Sequence, residues 1–208
     1  MKQRIILASI SQRRKELARA MGLEFTIMAS NFNEDILQSK HMDAKELVMD
    51  FAYGKAFDVA KRLKNGIVIG CDTVVVHNNK IIGKPKNARE AYRILKSYSG
   101  KHNEVYSGFC LIDSESHRLI KDFEITKVYY RKLSDLEIKT YVNTGISLDR
   151  AGAIETNLGS IFVRKIDGCY FNVMGFPIHK IYLSLKKMGV NIFEYPNWKR
   201  KYGREDFR

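Results

Sequence analysis

Two acids and several cations in this 208-residue chain stand where side chains of their kind do chemistry. Asp72 lies in the stretch Ile67 to Lys86, inside an apolar β-branched run, and Lys84 stands just past the end of the return arm. Such a run is the pattern of a strand buried on both faces. An aspartate there forms strand poorly and is costly to bury without a partner. A carboxylate and an ammonium on one hairpin can be an ion pair that fixes register, or a pair held ready for a charged substrate. Near the N-terminus, Ser9, Ser11, Arg13 and Arg14 offer two hydroxyls and two guanidiniums between a strand and a helix start. Free N–H groups, the helix dipole and bidentate guanidinium bonds suit phosphate at such a place. A serine cap followed by surface arginines has the same spelling. Lys55 emerges within the apolar stripe of a long helix, so its stem either snorkels or delivers an ammonium into an enclosed anionic site. Glu34 lies in a loop, where an acid can simply face water.

The elements that must position these groups are legible from pattern and punctuation. Ile5 to Ala8 predicts a first strand, followed by a helix with Leu17, Ala18 and Met21 on one face and Gly22 beyond its end. Phe25 to Ala29 reads as a second strand. Asp43-x-x-Glu46 opens a helix to about Leu63. Asp72 interrupts the next strand, which resumes at Val74, and Asn78-Asn79 carries hairpin-turn chemistry into Lys80 to Ile82. Capping signals at Asn87 and Ser134 open two more helices, and Val105 to Leu111 and Leu119 to Tyr130 alternate as strands. Ala151-Gly152-Ala153 falls in a loop, Ile161 to Ile166 reads as a strand, and Pro177 takes the first position of a closing helix. Strands alternating with capped helices predict a mixed α/β fold.

Composition narrows the classes further. The chain has 36 Lys plus Arg against 23 Asp plus Glu, a net +13 that favours anionic partners without choosing among them. No stretch approaches the roughly 20 apolar residues of a membrane span, so no membrane partner is expected, and the chain reads as soluble and cytoplasmic. Cys71, Cys110 and Cys169 are odd in number and far apart, which reads as reduced thiols in the core. The five histidines show no metal-ligand spacing, and no Ser-His-Asp set or CxxC pair occurs. Residues 1–195 read as a single domain of two lobes, and 196–208 as a basic tail with interleaved aromatics, a composition found in solvated tails and in nucleic-acid binders alike.

Taken together, several stretches resemble the Maf family of nucleoside triphosphate pyrophosphatases. They are Leu7-Ala8-Ser9-x-Ser11-x-Arg13-Arg14-x-Glu16-Leu17, Glu34, Lys55-Ala56, Asp72-Thr73-Val74-Val75, Gly83-Lys84-Pro85, Ser99-Gly100, Ala151-Gly152-Ala153 and Gly168-x-Tyr170-x-Asn172-Val173-x-Gly175-x-Pro177. They run in the family's order from about Ile5 to Ile192. There are departures. Asn103 stands where the family has a histidine, Gly145-Ile146-Ser147 replaces Gly-Glu-Pro, and Asn157 replaces a glutamine that contacts the nucleotide.

The resemblance implies an elongated, twisted mixed sheet with packed helices and two lobes around a cleft, and a fold related to that of inosine triphosphate pyrophosphatases. It implies hydrolysis of a nucleoside triphosphate to the monophosphate and pyrophosphate with Mg²⁺ or Mn²⁺. Under it, Asp72, Lys84 and Lys55 are the catalytic candidates, and Glu34 with Asp72 would hold the metal. Ser9, Ser11, Arg13 and Arg14 would bind phosphate, while Arg13, Thr73 and Asn157 would set specificity. The Asp-Thr pair resembles the branch acting on dTTP and UTP, and family members are often homodimers. A pyrophosphatase for inosine- or xanthosine-type purine triphosphates is the alternative enzyme. A basic nucleic-acid-binding module would explain the charge, but not the acids, which repel phosphate unless a metal intervenes.

Overall fold

The computed structural model describes residues 3–34 and 43–195. Among these, seven strands and six α-helices form a mixed α/β fold. In chain order they are β1 (Ile5–Leu7), α1 (Gln12–Ala20), β2 (Thr26–Ile27), α2 (Ala44–Ala60), β3 (Ile67–His77), β4 (Lys80–Ile82) and α3 (Ala88–Tyr98). There follow β5 (His102–Asp113), β6 (Leu119–Tyr130), α4 (Asp135–Asn143), β7 (Val163–Asp167), α5 (Tyr170–Val173) and α6 (Ile178–Lys187). The strands hydrogen-bond in the order β2-β1-β3-β5-β6-β7, with β4 also on β3. β1 is parallel to β2 and β3, whereas β4 runs antiparallel to β3 and β7 antiparallel to β6. The basic stretch 196–208 and the end of the loop after Glu34 lie outside the described residues.

The chain divides into two compact units. The first comprises the described residues of Met1–Asp72, Ser107–Phe123 and Gly175–Arg208; the second comprises Thr73–Tyr106 and Glu124–Met174. In the first unit, Ala52, Ala56, Val59 and Ala60 of α2 pack with Ile6, Ala8, Val68, Cys110 and Ile112. Two strand glycines allow α2 to lie unusually close. A Cβ at Gly70 would stand 2.2 Å from the Ala52 carbonyl oxygen, and one at Gly108 would stand 2.3 Å from that of Val48. The helix backbone therefore rests directly on the strands, which is what carries the stem of Lys55 inward. Gly70→Ala should accordingly cost roughly 1–3 kcal/mol or more, since overpacking a backbone contact has no flexible side chain to yield. A urea titration measures it, and an unchanged midpoint would contradict the close approach.

In the second unit, Ala91, Leu95 and Tyr98 of α3 and Ile138, Tyr141 and Val142 of α4 pack with Val128, Tyr130 and Phe162. Ser134 and Glu137 form a full capping box at the start of α4. Asn78 and Asn79 have φ of 48° and 59°, the two positive values of a type I′ turn.

Several expected boundaries move. β3 does not break at Asp72 but runs through it for 11 residues, because Asp72 has a partner, as described below. β2 shrinks to two exposed residues at the sheet edge. β7 begins at Val163, two residues late, because a 3₁₀ turn over Leu158–Phe162 comes first, fastened where Arg131 N–H donates to the Phe162 carbonyl. Pro177 is the cap of α6, one position before the helix proper. Cys71 and Cys110 are buried free thiols, Cys71 pushed up to about 12 by burial, while Cys169 is half-buried at the start of α5.

Candidate active site

Helix α2 and strand β3 bring Lys55 and Asp72 together in the first unit. Lys55 Nζ donates to Asp72 Oδ1 at 2.6 Å and stands 2.7 Å from Glu34 Oε1. One ammonium is thus shared by two carboxylates. The Lys55 and Asp72 side chains are only 15% and 12% exposed, against 43% for Glu34. Of the two roles open to Lys55, snorkelling is excluded: its head group turns into an acidic site.

The loop bearing Glu34 is built onto α2 residue by residue. Asp58 Oδ2 accepts from the Asn31 backbone N–H at 2.8 Å and from the Ser30 hydroxyl, while Arg62 donates to the Ala29 carbonyl. The Asn31 amide, with Lys61 and Arg62, holds the Asp58 carboxyl below its usual range against the opposing effect of burial. Phe32 lies over Gly54, where any Cβ would meet its ring at 2.4 Å, and meets Phe51 edge-on. Gly54 thus seats the loop beside Lys55, its neighbour on the helix. Asp58 and Gly54 escaped the sequence reading; a glycine inside an otherwise regular helical pattern was the available signal.

Burial pushes the Asp72 carboxyl above the ordinary aspartate range. Lys55 and then Arg14 oppose that rise, and the negative charge of Glu34 adds to it. Arg14 also donates Nε–H to the Gly175 carbonyl at 2.9 Å, so the α1 arginine acts on the Asp72 site through its charge. Arg13 is half-buried one residue earlier on α1. Ser11 caps α1 by position, yet its side chain makes no capping hydrogen bond, and Ser9 Oγ instead accepts from the Ser11 N–H at 3.2 Å. The ordinary serine-cap reading does not hold here.

Lys84 is not the partner of Asp72. The β3–β4 register begins at Val75↔Ile82, three residues beyond Asp72, so neither residue lies within the paired ladder. Lys84 Nζ instead donates to Asp149 Oδ1 at 2.7 Å within the second unit. Asp149 was not singled out by sequence, although it stands two residues before the Ala151-Gly152-Ala153 motif. Thr73 follows Asp72 on β3 and is half-buried, and Asn157 is exposed beside the 3₁₀ turn, with its backbone N–H on Glu155 Oε2. Asn103, the departure on β5, is a packing residue: it is buried and donates to the Tyr130 hydroxyl at 3.3 Å.

Two carboxylates converging on one point make a donor set of hard oxygens. That suits Mg²⁺, which commonly takes one or two protein carboxylates and completes its shell with water and substrate phosphate. Among the described residues, no group of three or more His, Cys, Asp or Glu could hold a metal alone. No helix among them is long and apolar enough to cross a membrane.

Comparison with known proteins shows the family. The Maf-like protein family matches residues 4–188. A dTTP/UTP pyrophosphatase of Clostridium botulinum (strain Okra / Type B1) is 46% identical over 193 residues, covering 90% of this chain and 98% of that protein. A dTTP/UTP pyrophosphatase of Clostridium tetani is 42% identical over 190 residues, with the same coverages. One from Thermoanaerobacter sp. (strain X514) is 44% identical over 186 residues, covering 88% of this chain and 96% of its own. With the family matched over most of its length, the chain belongs to the Maf-like protein family.

Proposed function

We propose that this protein hydrolyses nucleoside triphosphates, dTTP and UTP foremost, to the monophosphate and pyrophosphate. The observation that carries the reading is the Lys55 ammonium shared by Glu34 and Asp72, in a chain whose relatives bear the name dTTP/UTP pyrophosphatase. Water attacks the α-phosphorus, the bond from that phosphorus to the bridging oxygen breaks, and pyrophosphate leaves with the bond's electron pair. Asp72 takes the water's proton; its raised pKa makes it a stronger base than an exposed carboxylate. Lys55 exchanges its acidic partners for phosphate oxygens as the nucleotide binds, which frees Asp72 to accept the proton. Glu34 and Asp72 would hold a divalent cation, which when bound neutralises phosphate charge and acidifies the attacking water. Ser9, Ser11, Arg13 and Arg14, with the free amides of α1, bind phosphate, and Lys84 neutralises charge on the leaving pyrophosphate. Arg13, Thr73 and Asn157 read the base, a discrimination that unpaired polar groups can make large. The cytoplasmic location, the homodimer, and the division into one domain over residues 1–195 with a basic tail belong to the same proposal.

Given Mg²⁺ or Mn²⁺ and a panel of dTTP, UTP, GTP, dITP and XTP, the protein should release pyrophosphate fastest from dTTP and UTP. In heavy-oxygen water the label should enter the monophosphate. Faster turnover of dITP and XTP would turn the reading to the purine enzyme. No turnover of any triphosphate, with a steeply salt-dependent affinity for oligonucleotides, would replace it with nucleic-acid binding.

A further inference from the structure

The segment Ile146–Ala153 grips the end of the β3–β4 hairpin at two points. Asp149, in the 3₁₀ turn Ile146–Asp149, accepts from Lys84 Nζ at 2.7 Å. Three residues on, the Gly152 N–H donates to the Gly83 carbonyl at 3.1 Å. Gly152 can do so because it adopts φ of 73° and lies flat on Val75, where a Cβ would meet Val75 Cγ2 at 3.0 Å. The peptide before Lys84 and the ammonium at its tip are therefore held by the same short stretch. On the other side, buried Pro85 and the Lys86 N–H, bonded to Glu90 Oε2 at 2.7 Å, fix the chain that follows.

An exposed ion pair is ordinarily worth little to stability, because solvent screens it and holding two long side chains costs entropy. The Lys84 and Asp149 side chains are 63% and 77% exposed. A pair of that kind, tied at both backbone and side chain, does little for folding and much for placement.

We infer that Asp149 is a positioning residue for Lys84: it holds the ammonium in one orientation until the phosphates of the substrate take it over. The inference rests on reading Lys84 as a phosphate-binding cation. A free lysine head group searches many rotamers, and a misplacement of about 1 Å can cost on the order of 10²-fold in rate. The Lys84 hydrogen bond also keeps the Asp149 carboxyl below its usual range, so the partner stays ionised through neutral pH.

The test is a double-mutant cycle on the full-length protein, with pyrophosphate release from dTTP as the readout. Asp149→Asn should lower kcat about 10-fold, a moderate fraction of the loss that misplacement alone can cause. It should leave KM within about twofold and the melting temperature unchanged, and Asp149→Glu should recover part of the rate. In a Lys84→Met background, Asp149→Asn should have no further effect on kcat. A parental kcat for Asp149→Asn, or an equal loss in both backgrounds, would overturn the inference while leaving Lys84 in place. A parental kcat for Lys84→Met would overturn the phosphate role of Lys84 itself, and the inference with it.

Discussion

Lys55→Met should abolish most turnover and destabilise the protein at neutral pH. Methionine fills nearly the same space, so the apolar stem is replaced and only the charge is lost. Removing one cationic partner of a developing phosphate charge costs about 10²–10³ in rate. Breaking a buried pair costs roughly 3–5 kcal/mol because it leaves an uncompensated charge, and Asp72, 12% exposed, is nearly buried. The size of the loss should depend on pH. In the parent protein the Asp72 carboxyl already sits above its ordinary range, since burial outweighs Lys55 and Arg14. The stability linked to such an acid is complete below its unfolded value of about 3.9 and declines as pH rises through the raised folded value. Without Lys55 the folded value climbs further. The gap between variant and parent should therefore be small at the acid end of the accessible range and widen toward neutrality. Thermal melts at several pH values check it. A gap that does not change with pH would mean that Lys55 acts through packing alone.

Asp72→Asn should give the opposite combination, an intact fold with a failed reaction. The amide keeps the shape of the acid and loses its charge and its basicity. Lys55 is not stranded by the change, because Glu34 still stands 2.7 Å from its Nζ. An amide is also cheaper to bury than an anion, so at neutral pH the variant should melt at or above the parent temperature. That advantage should disappear at acid pH, where Asp72 is itself neutral. Turnover should fall by roughly 10²–10⁴-fold for the lost base alone.

Much of this site is legible in the sequence, and the reasons differ from part to part. Asp72 stood out because an acid in a valine and isoleucine run breaks the strand pattern. The hairpin turn was legible because Asn78-Asn79 is one of few spellings that tolerate two positive φ values. The capping box at Ser134 and Glu137 was likewise legible from local chemistry. What sequence left open was partnership. Asp72 lies nearer Lys84 in the chain than Lys55, yet Lys55 reaches it, because α2 rests on β3 at Gly70 and on β5 at Gly108. That contact joins residues far apart in sequence and is carried by the absence of side chains, which hydrophobic periodicity does not register. Glu34 read as a solvated loop acid for a similar reason. Its loop is seated by Phe32 on Gly54 and by Asp58, none of which forms a local motif. Asp149 carried no signal of its own, since an acid near the end of a short turn is common.

The buried acid of the Glu34–Lys55–Asp72 cluster either does chemistry or only completes an ion pair. The most direct measurement takes pyrophosphate release from dTTP by Asp72→Asn and by the parent protein under saturating nucleotide and Mg²⁺, each rate divided by the folded fraction from its own melt. The expected result is a variant folded as fully as the parent, with a rate per folded molecule lower by about 10²-fold or more. A variant that melts well below the parent, yet turns over dTTP at the parental rate per folded molecule, would contradict it.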